Sequence, residues 1–266
     1  MDWSKTKTIF IMVFLVLDIF LLYQFLEKKK TNQMDYLTVT STEEQMKQEQ
    51  ITIPDVQNEP VKESILMAKR KEFSKEDIKD DKNQEWFFDN KTRLIATLKK
   101  TTIVGKDFDP NQLAEFLKEN IYEGQSYKFW EFDRSNNTII YYQSYGNKTF
   151  YNNTNAKLVL RLNEKREIVS YEQTYLENIK PMNKKEEILP VNKAIVALYS
   201  KGALPENTEI TNEDVELGYY SLLKSSSSSY LLTPTWRISV NGKDMFVKAF
   251  DGEVIELDTE EKIQLE

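Results

Sequence analysis

The side chains that carry most protein chemistry, histidine and cysteine, are both missing from this chain of 266 residues. Nucleophilic mechanisms of the Ser–His–Asp and Cys–His kinds are therefore excluded within the chain, because each needs an imidazole or a thiolate. Zinc sites built from imidazole and thiolate ligands are excluded for the same reason. The chain also has only 7 glycines and no glycine-rich phosphate-binding motif. We expect no catalytic residue, no cofactor and no metal.

Carboxylates remain as candidate acid–base groups, and Glu115, Glu119 and Glu123 follow one another at helical spacing. Two carboxylates that face each other across a cleft could hydrolyse a glycoside. A run of glutamates four residues apart is much more often the solvated face of a helix, and we interpret these three in that way. The sequence Asn90-Lys91-Thr92 matches a glycosylation acceptor, but it reads more simply as a turn.

Asp18 has the most unusual surroundings of any acidic residue, because it lies inside the apolar run of residues 9–26. A helix of roughly eighteen residues is about 27 Å long, close to the thickness of the hydrocarbon layer. The end of the run lacks the small residues that a signal peptidase needs. We therefore predict an uncleaved transmembrane anchor over residues 9–26, with Trp3 and Tyr23 as anchors at the two membrane interfaces.

The orientation of the anchor does not follow from charge, because lysines flank the run on both sides. The residues before the run are too few to house a function. The large part after it has no cysteine, which is compatible with an exposed compartment. We expect residues 1–8 to be a cytoplasmic tail and the body to be extracytoplasmic, so that the protein is a single-pass protein of the cell membrane.

An ionised aspartate at the centre of a membrane helix costs about 2.5–3.5 kcal/mol on insertion scales. A donor on a neighbouring helix would lower that cost. We predict that Asp18 contacts a partner span, together with the side chains three, four and seven positions away on the same side of the helix. These are Ile11, Phe14, Leu15, Leu21, Leu22 and Phe25. The alternative is a lone anchor that tolerates Asp18 in protonated form or beside a water defect.

The body that follows the anchor is acidic. The whole chain has a net charge of −7, although its first thirty residues contain more lysines than acids. Nucleic-acid binding needs clustered lysine and arginine, so we exclude a nucleic-acid partner. With 40% hydrophobic and 12% aromatic residues, the body can build hydrophobic cores and is not of disordered composition.

The body has the residue pattern of an α+β protein. Residues 27–58 predict a polar stalk with a short helix that begins near Ser41. Residues 59–182 predict a first extracytoplasmic α+β domain, which starts with a helix over 60–70 and has a second helix from Asp109-Pro110 to about residue 121. Antiparallel strands are predicted at 85–88, 92–98, 127–132, 138–145, 156–163 and 168–175.

Residues 183–266 predict a second extracytoplasmic α+β domain, because the helix-then-strands pattern restarts there. A helix over 190–201 precedes a strand at 214–223. Asn241-Gly242 then predicts a hairpin between strands at 235–240 and 245–250. This unit, a helix followed by an antiparallel meander, occurs at least twice. The string W-R-I-x-V…A-x-D-G-E-V-I, which begins at Trp236, resembles the end of PepSY-type modules.

The N-terminal string MDWSKTKTIFI, the single span and the size of the body resemble the YycI family. The resemblance is most specific over Asp2 to Ile11 and over Pro234 to Ile255. It implies a cytoplasmic N-terminus, an extracytoplasmic α+β body and two partners, a sensor histidine kinase of the WalK (YycG) type and a sister regulator of the YycH type. The family regulates the kinase without a catalytic step, so the resemblance implies no catalytic residue.

Two functions remain open from the sequence. In the first, the protein is a non-enzymatic regulator of an essential two-component kinase for cell-wall homeostasis, and it acts through contacts in the membrane and outside it. In the second, the body senses a wall-derived or peptide ligand, and the helix is only a tether. Nothing in the sequence favours a third reading as an enzyme.

Overall fold

The computed structural model describes residues 3–54, 60–79, 82–105, 108–221 and 229–256, and all their side chains except those of residues 3–6 and 25–41. Three helices lie in this part of the chain: α1 (Trp3–Gln48), α2 (Ala114–Asn120) and α3 (Val191–Ser200). The strands are β1 (Lys62–Glu63), β2 (Leu66–Arg70), β3 (Gln84–Asp89), β4 (Arg93–Ile103), β5 (Tyr127–Asp133), β6 (Thr138–Tyr145), β7 (Lys148–Tyr151), β8 (Lys157–Leu162), β9 (Glu167–Gln173), β10 (Leu176–Pro181), β11 (Glu186–Glu187), β12 (Val215–Tyr220), β13 (Ser229–Val240), β14 (Lys243–Lys248) and β15 (Val254–Ile255).

The first helix is one continuous element of 46 residues. At 1.5 Å per residue it is about 69 Å long, more than twice what a membrane needs. The short helix predicted from Ser41 is therefore the end of α1 and not a separate element. Residues 27–48 contain neither proline nor glycine, so no residue of the kind that interrupts a helix separates the two parts.

The first core forms between α2 and one face of a six-stranded antiparallel sheet. Its strands lie in the order β3, β4, β9, β8, β6 and β5. Phe116 and Leu117 of α2 pack on the buried Leu160 and Tyr171 of this sheet. The predicted helix after Asp109-Pro110 and the predicted strands are confirmed. Burial alternates along β8, as it does when one face of a strand is covered and the other is open.

The helix predicted over residues 60–70 is wrong, because the segment forms strands β1 and β2 instead. Strand β2 lies between β10 and β13 and is antiparallel to both. Its Leu66 and Ala68 are buried, whereas Met67 between them is exposed. This alternation is the burial period of a strand. Over so short an apolar stretch, the spacing of the apolar residues fits both a helix and a strand. Pairing of β2 with β10 and β13 stabilises the strand.

The second core forms between α3 and strands β13 and β14, with Ile195 at its centre. It also receives Met46 from the last turn of α1 and Ile51 just beyond it. The predicted helix over 190–201 and the hairpin at Asn241-Gly242 are confirmed. Both hairpin residues have positive φ angles, 53° and 77°, as a type I′ turn requires. The α+β class is thus confirmed.

Hydrogen-bonded strands connect the two cores. Strand β2 pairs with β13, and β12 runs parallel to β7. At this β7–β12 seam, a Cβ on Gly218 would lie 2.4 Å from the ring of Tyr151 and 2.5 Å from the carbonyl oxygen of Thr149. Only glycine allows so close an approach. The division into two domains near residue 182 stays a prediction about folding units, since the sheet continues across it.

Candidate partner-binding site

The predicted membrane residues all lie on α1. Its segment Lys7–Gln24 is long and apolar enough to span a membrane, and none of it is buried against the rest of the chain. Asp18 is exposed there, and Tyr23 is 63% exposed near the end of the segment. The side chains of Trp3 and Phe25 lie outside the described residues.

The residues predicted to flank Asp18 share one side of α1, because positions three, four and seven apart are neighbours on a helix. Their side chains are 52–66% exposed, which leaves this membrane strip available to another helix. The described members of the strip are Ile11, Phe14, Leu15, Asp18, Leu21 and Leu22. Contact between the strip and a partner span stays a prediction.

The other end of α1 is built into the body. Met46 is only 2% exposed in the second core, and the hydroxyl of Tyr199 donates to the carboxylate of Glu49 at 2.7 Å. That hydrogen bond raises the pKa of Tyr199 above its ordinary value. Just beyond, Thr52 exchanges backbone hydrogen bonds with Thr208 and Ile210. The anchor is therefore joined to the second core through side chains and backbone together.

A charged cluster holds the two cores together beside the β7–β12 seam. Arg237 of β13 donates to Asp244 at 2.8 Å and to Glu216 at 3.3 Å. Its guanidinium lies 4.8 Å from the ring centre of Trp130 on β5, and Lys128 of the same strand lies 3.3 Å from Glu216. Burial opposes the charge of Arg237, but Asp244 and Glu216 keep its pKa above the ordinary value.

The face of the first sheet that α2 leaves uncovered carries a groove of about 610 Å³. This open groove crosses β4, β9, β8 and β6. Its charged residues are Asp89, Arg93, Lys157, Arg161 and Glu172. Around them lie hydroxyl and amide side chains, among them those of Thr138, Asn155 and Thr174.

The charges of the open groove are unevenly paired. Arg93 bonds to Asp89 and lies 3.1 Å from Glu172, and Arg161 lies 3.9 Å from the other oxygen of Glu172. Lys157 forms no ion pair within the described part of the chain, and its amine lies 5.7 Å from the ring centre of Tyr142. Burial lowers its pKa, and Glu172 and Glu131 offset only part of that effect.

Glu115 and Glu119 lie on α2, and Glu123 follows it. All three are exposed. The interpretation as a solvated helix face is confirmed for Glu115 and Glu119, whereas Glu123 lies beyond the helix with a positive φ of 46°. Asn90 and Lys91 form the turn between β3 and β4 with positive φ angles, as predicted. Among the described residues there is no group of three histidine, cysteine, aspartate or glutamate side chains that could hold a metal ion.

The open groove was missed by sequence reasoning. Its residues come from strands that are far apart in the chain, and each of them alternates in sequence with a core residue. The outward residues of an antiparallel sheet carry no pattern beyond polarity. No local signal marks the groove, since Lys157, the first residue of β8, is simply one of the polar positions of an alternating strand.

The sequence matches the model of one protein family, described as YycI protein, over residues 29–250. This match covers the outer part of α1 and nearly the whole body. No curated protein matches the chain.

Solved structures that match the chain include two from bacilli. The crystal structure of YycH from Bacillus subtilis has 15% sequence identity and a TM-score of 0.35, and the match covers 72% of this chain and 51% of that one. The Bacillus megaterium YpeB C-terminal domain has 13% identity and a TM-score of 0.37, over 73% of this chain and 90% of that one. The chain thus spans about half the length of the YycH structure.

Proposed function

Because the chain belongs to the YycI family, we propose that it is a membrane-anchored regulator of a sensor histidine kinase of the WalK type. It acts without catalysis, through contacts in the membrane and outside it, together with a sister regulator of the YycH type. In this proposal residues 1–8 are cytoplasmic and the body is extracytoplasmic. Regulation by assembly needs a membrane segment that can pair with other spans and a rigid link from that segment to the body.

The continuity of α1 is the observation that supports this mechanism best. About 24 residues of the helix extend beyond the apolar segment, which corresponds to roughly 36 Å. Since its last turn is packed into the second core, a rotation or shift of the span moves that core directly. An anchor that served only as a tether would need no such connection.

Asp18 is the residue whose replacement tests the membrane contact. Asp18→Leu should still insert, and it should weaken co-purification with the kinase or the sister regulator by about 0.5–2 kcal/mol, the range for hydrogen bonds between membrane helices. This corresponds to a few-fold to roughly thirty-fold in association. Asp18→Asn should be milder, because an amide can still form a hydrogen bond. The measurement is quantitative co-purification from membranes at equal protein level, combined with kinase output.

A matched control moves the acid to the opposite side of the helix. Val16 lies two residues before Asp18, about 200° away around the helix axis. The double variant Val16→Asp/Asp18→Val keeps the composition and the insertion cost of the span, and it should lose as much association as Asp18→Leu. If both variants assemble and signal as the unmodified protein does, the acid makes no contact and the membrane part of the proposal is wrong.

A further inference from the structure

Lys157 is a partly buried cation of the open groove, and the only carboxylates that act on its charge, those of Glu172 and Glu131, lie beyond ion-pair distance among the described residues. Its amine forms no ion pair among the described residues, whereas Asp89 and Glu172 are both held by arginine. A cation that is partly removed from water without an anion costs free energy. A ligand carboxylate placed at the amine would replace the lost hydration with a charge-assisted hydrogen bond.

A mostly apolar row lies beside this cation on the same face of the sheet, two residues further along β8. Strand register places Phe87, Ile95, Glu172, Val159 and Ile140 opposite one another in one row across five strands. Phe87 is 58% exposed. With strands about 4.8 Å apart, the row is about 19 Å long, which an extended segment of about six residues would match.

We propose that the open groove docks an acidic, partly apolar segment of another protein, with one carboxylate of that segment bound to Lys157; that the partner is extracytoplasmic rests on the orientation proposed above. The row supplies apolar contact area on one side of the charge, at Phe87, Ile95 and Val159. The threonine and asparagine side chains around Lys157 can donate to the second carboxylate oxygen. Because the groove lies on the first core and α1 is anchored in the second, this surface is separate from the membrane strip. It would serve a partner whether or not Asp18 makes a contact.

The test uses the full-length protein in nanodiscs of zwitterionic lipid, so that no anionic headgroup competes. The probe is a fluorescein-labelled hexapeptide of alternating leucine and glutamate, and fluorescence anisotropy measures its binding. Lys157→Gln should weaken binding about tenfold or more, as loss of a charge-assisted hydrogen bond does. Glu172→Gln should strengthen binding, because it removes a carboxylate that repels the probe and frees the positive charge of Arg93 and Arg161. The matched control is Lys118→Gln on the exposed surface of α2, which should bind the probe as the unmodified protein does.

Two peptides separate charge from apolar contact. A hexapeptide of alternating leucine and glutamine should bind as weakly as the glutamate probe binds to the Lys157→Gln variant. The proposal is overturned if Lys157→Gln and Lys118→Gln bind the glutamate probe equally well. It is also overturned if excess inorganic phosphate displaces the probe as effectively as unlabelled probe does, because the groove would then hold a small anion and not a protein segment.

Discussion

Each of the two cores consists of one helix packed on antiparallel strands, and the cores differ in whether α1 is attached to them. The buried residues of the first core all lie between Phe73 and Tyr171, and the outer face of its sheet carries the open groove. The second core is completed by Met46 and Ile51, which precede the first core in sequence. The membrane helix is therefore fixed to the core that is more distant from it along the chain, and the groove lies on the other one.

This arrangement assigns different mechanical roles to the cores. Movement of the span reaches the second core first, and it reaches the groove through the strand pairs, the Arg237 cluster and the aromatic contacts at the seam, such as that of Tyr151 with Phe246. Binding in the groove would influence the span along the same route in reverse, because coupling between two sites is reciprocal. The difference between the two cores can be tested by changes at three places: the attachment of α1, the seam and the groove.

Removing the attachment of α1 should have the largest effect. Met46→Ala shortens a side chain that is 2% exposed. Truncation of a buried methionine to alanine lowers the free energy of unfolding by about 2–5 kcal/mol. We expect hydrogen exchange to accelerate in α3 and β14 more than in α2 and β8, because the cavity opens in the second core. The control is Met182→Ala, since Met182 is 61% exposed and its loss should leave both cores unchanged. Equal acceleration in the two cores would show that they unfold as one unit.

The seam should give the next largest effect. Gly218→Ala places a methyl group against Tyr151 and the backbone of Thr149, and overpacking of this kind costs about 1–3 kcal/mol. Exchange should accelerate in β7 and β12 together, although only β12 carries the change. Gly105→Ala is the control, because the nearest atom to its Cβ would be 3.8 Å away. If β7 stays protected in Gly218→Ala, the contact between the cores does not depend on this strand pair.

Local sequence signals predicted most of the elements. Proline after Asp109, glycine after the 190–201 segment and Asn241-Gly242 each act within a few residues, and the structure confirms the elements that they mark. The error over residues 60–70 came from a partner that is distant in sequence. Strand β2 pairs with β13, more than 150 residues away, and no pattern within residues 60–70 contains that information.

The candidate site divides in the same way. The membrane strip could be predicted from the sequence, because an acid within a run of apolar residues can be recognised without knowledge of the fold. The open groove could not, because Arg93, Lys157 and Glu172 become neighbours only through strand register. Attachment of the end of α1 to the second core was likewise outside the reach of periodicity, since Met46 is a lone apolar residue in a polar segment.

A substitution in the groove should have the smallest effect on stability. It should raise the free energy of unfolding, whereas the other two substitutions lower it. Lys157→Met removes a cation that burial disfavours and keeps the apolar part of the side chain. We expect the variant to be more stable by about 0.5–1 kcal/mol, the scale of other surface-charge optimisations, which corresponds to a rise in Tm of about 1–4 °C. Thermal unfolding of full-length protein in detergent measures this, with Lys118→Met as the control.

The dependence on pH separates burial of charge from better packing. The pKa of Lys157 is lowered in the fold from its ordinary value of 10.5, so between these two values the unfolded chain binds more protons than the folded one. The contribution of Lys157 to the free energy of unfolding of the unmodified protein therefore rises with pH across that window. Below the lowered pKa, the charged amine destabilises the fold to its full extent. The advantage of Lys157→Met should accordingly shrink as the pH approaches 10.5. An advantage that stays constant would come from packing of the methionine, and a loss of stability would mean that the fold already neutralises Lys157, which would leave the groove without a free cation.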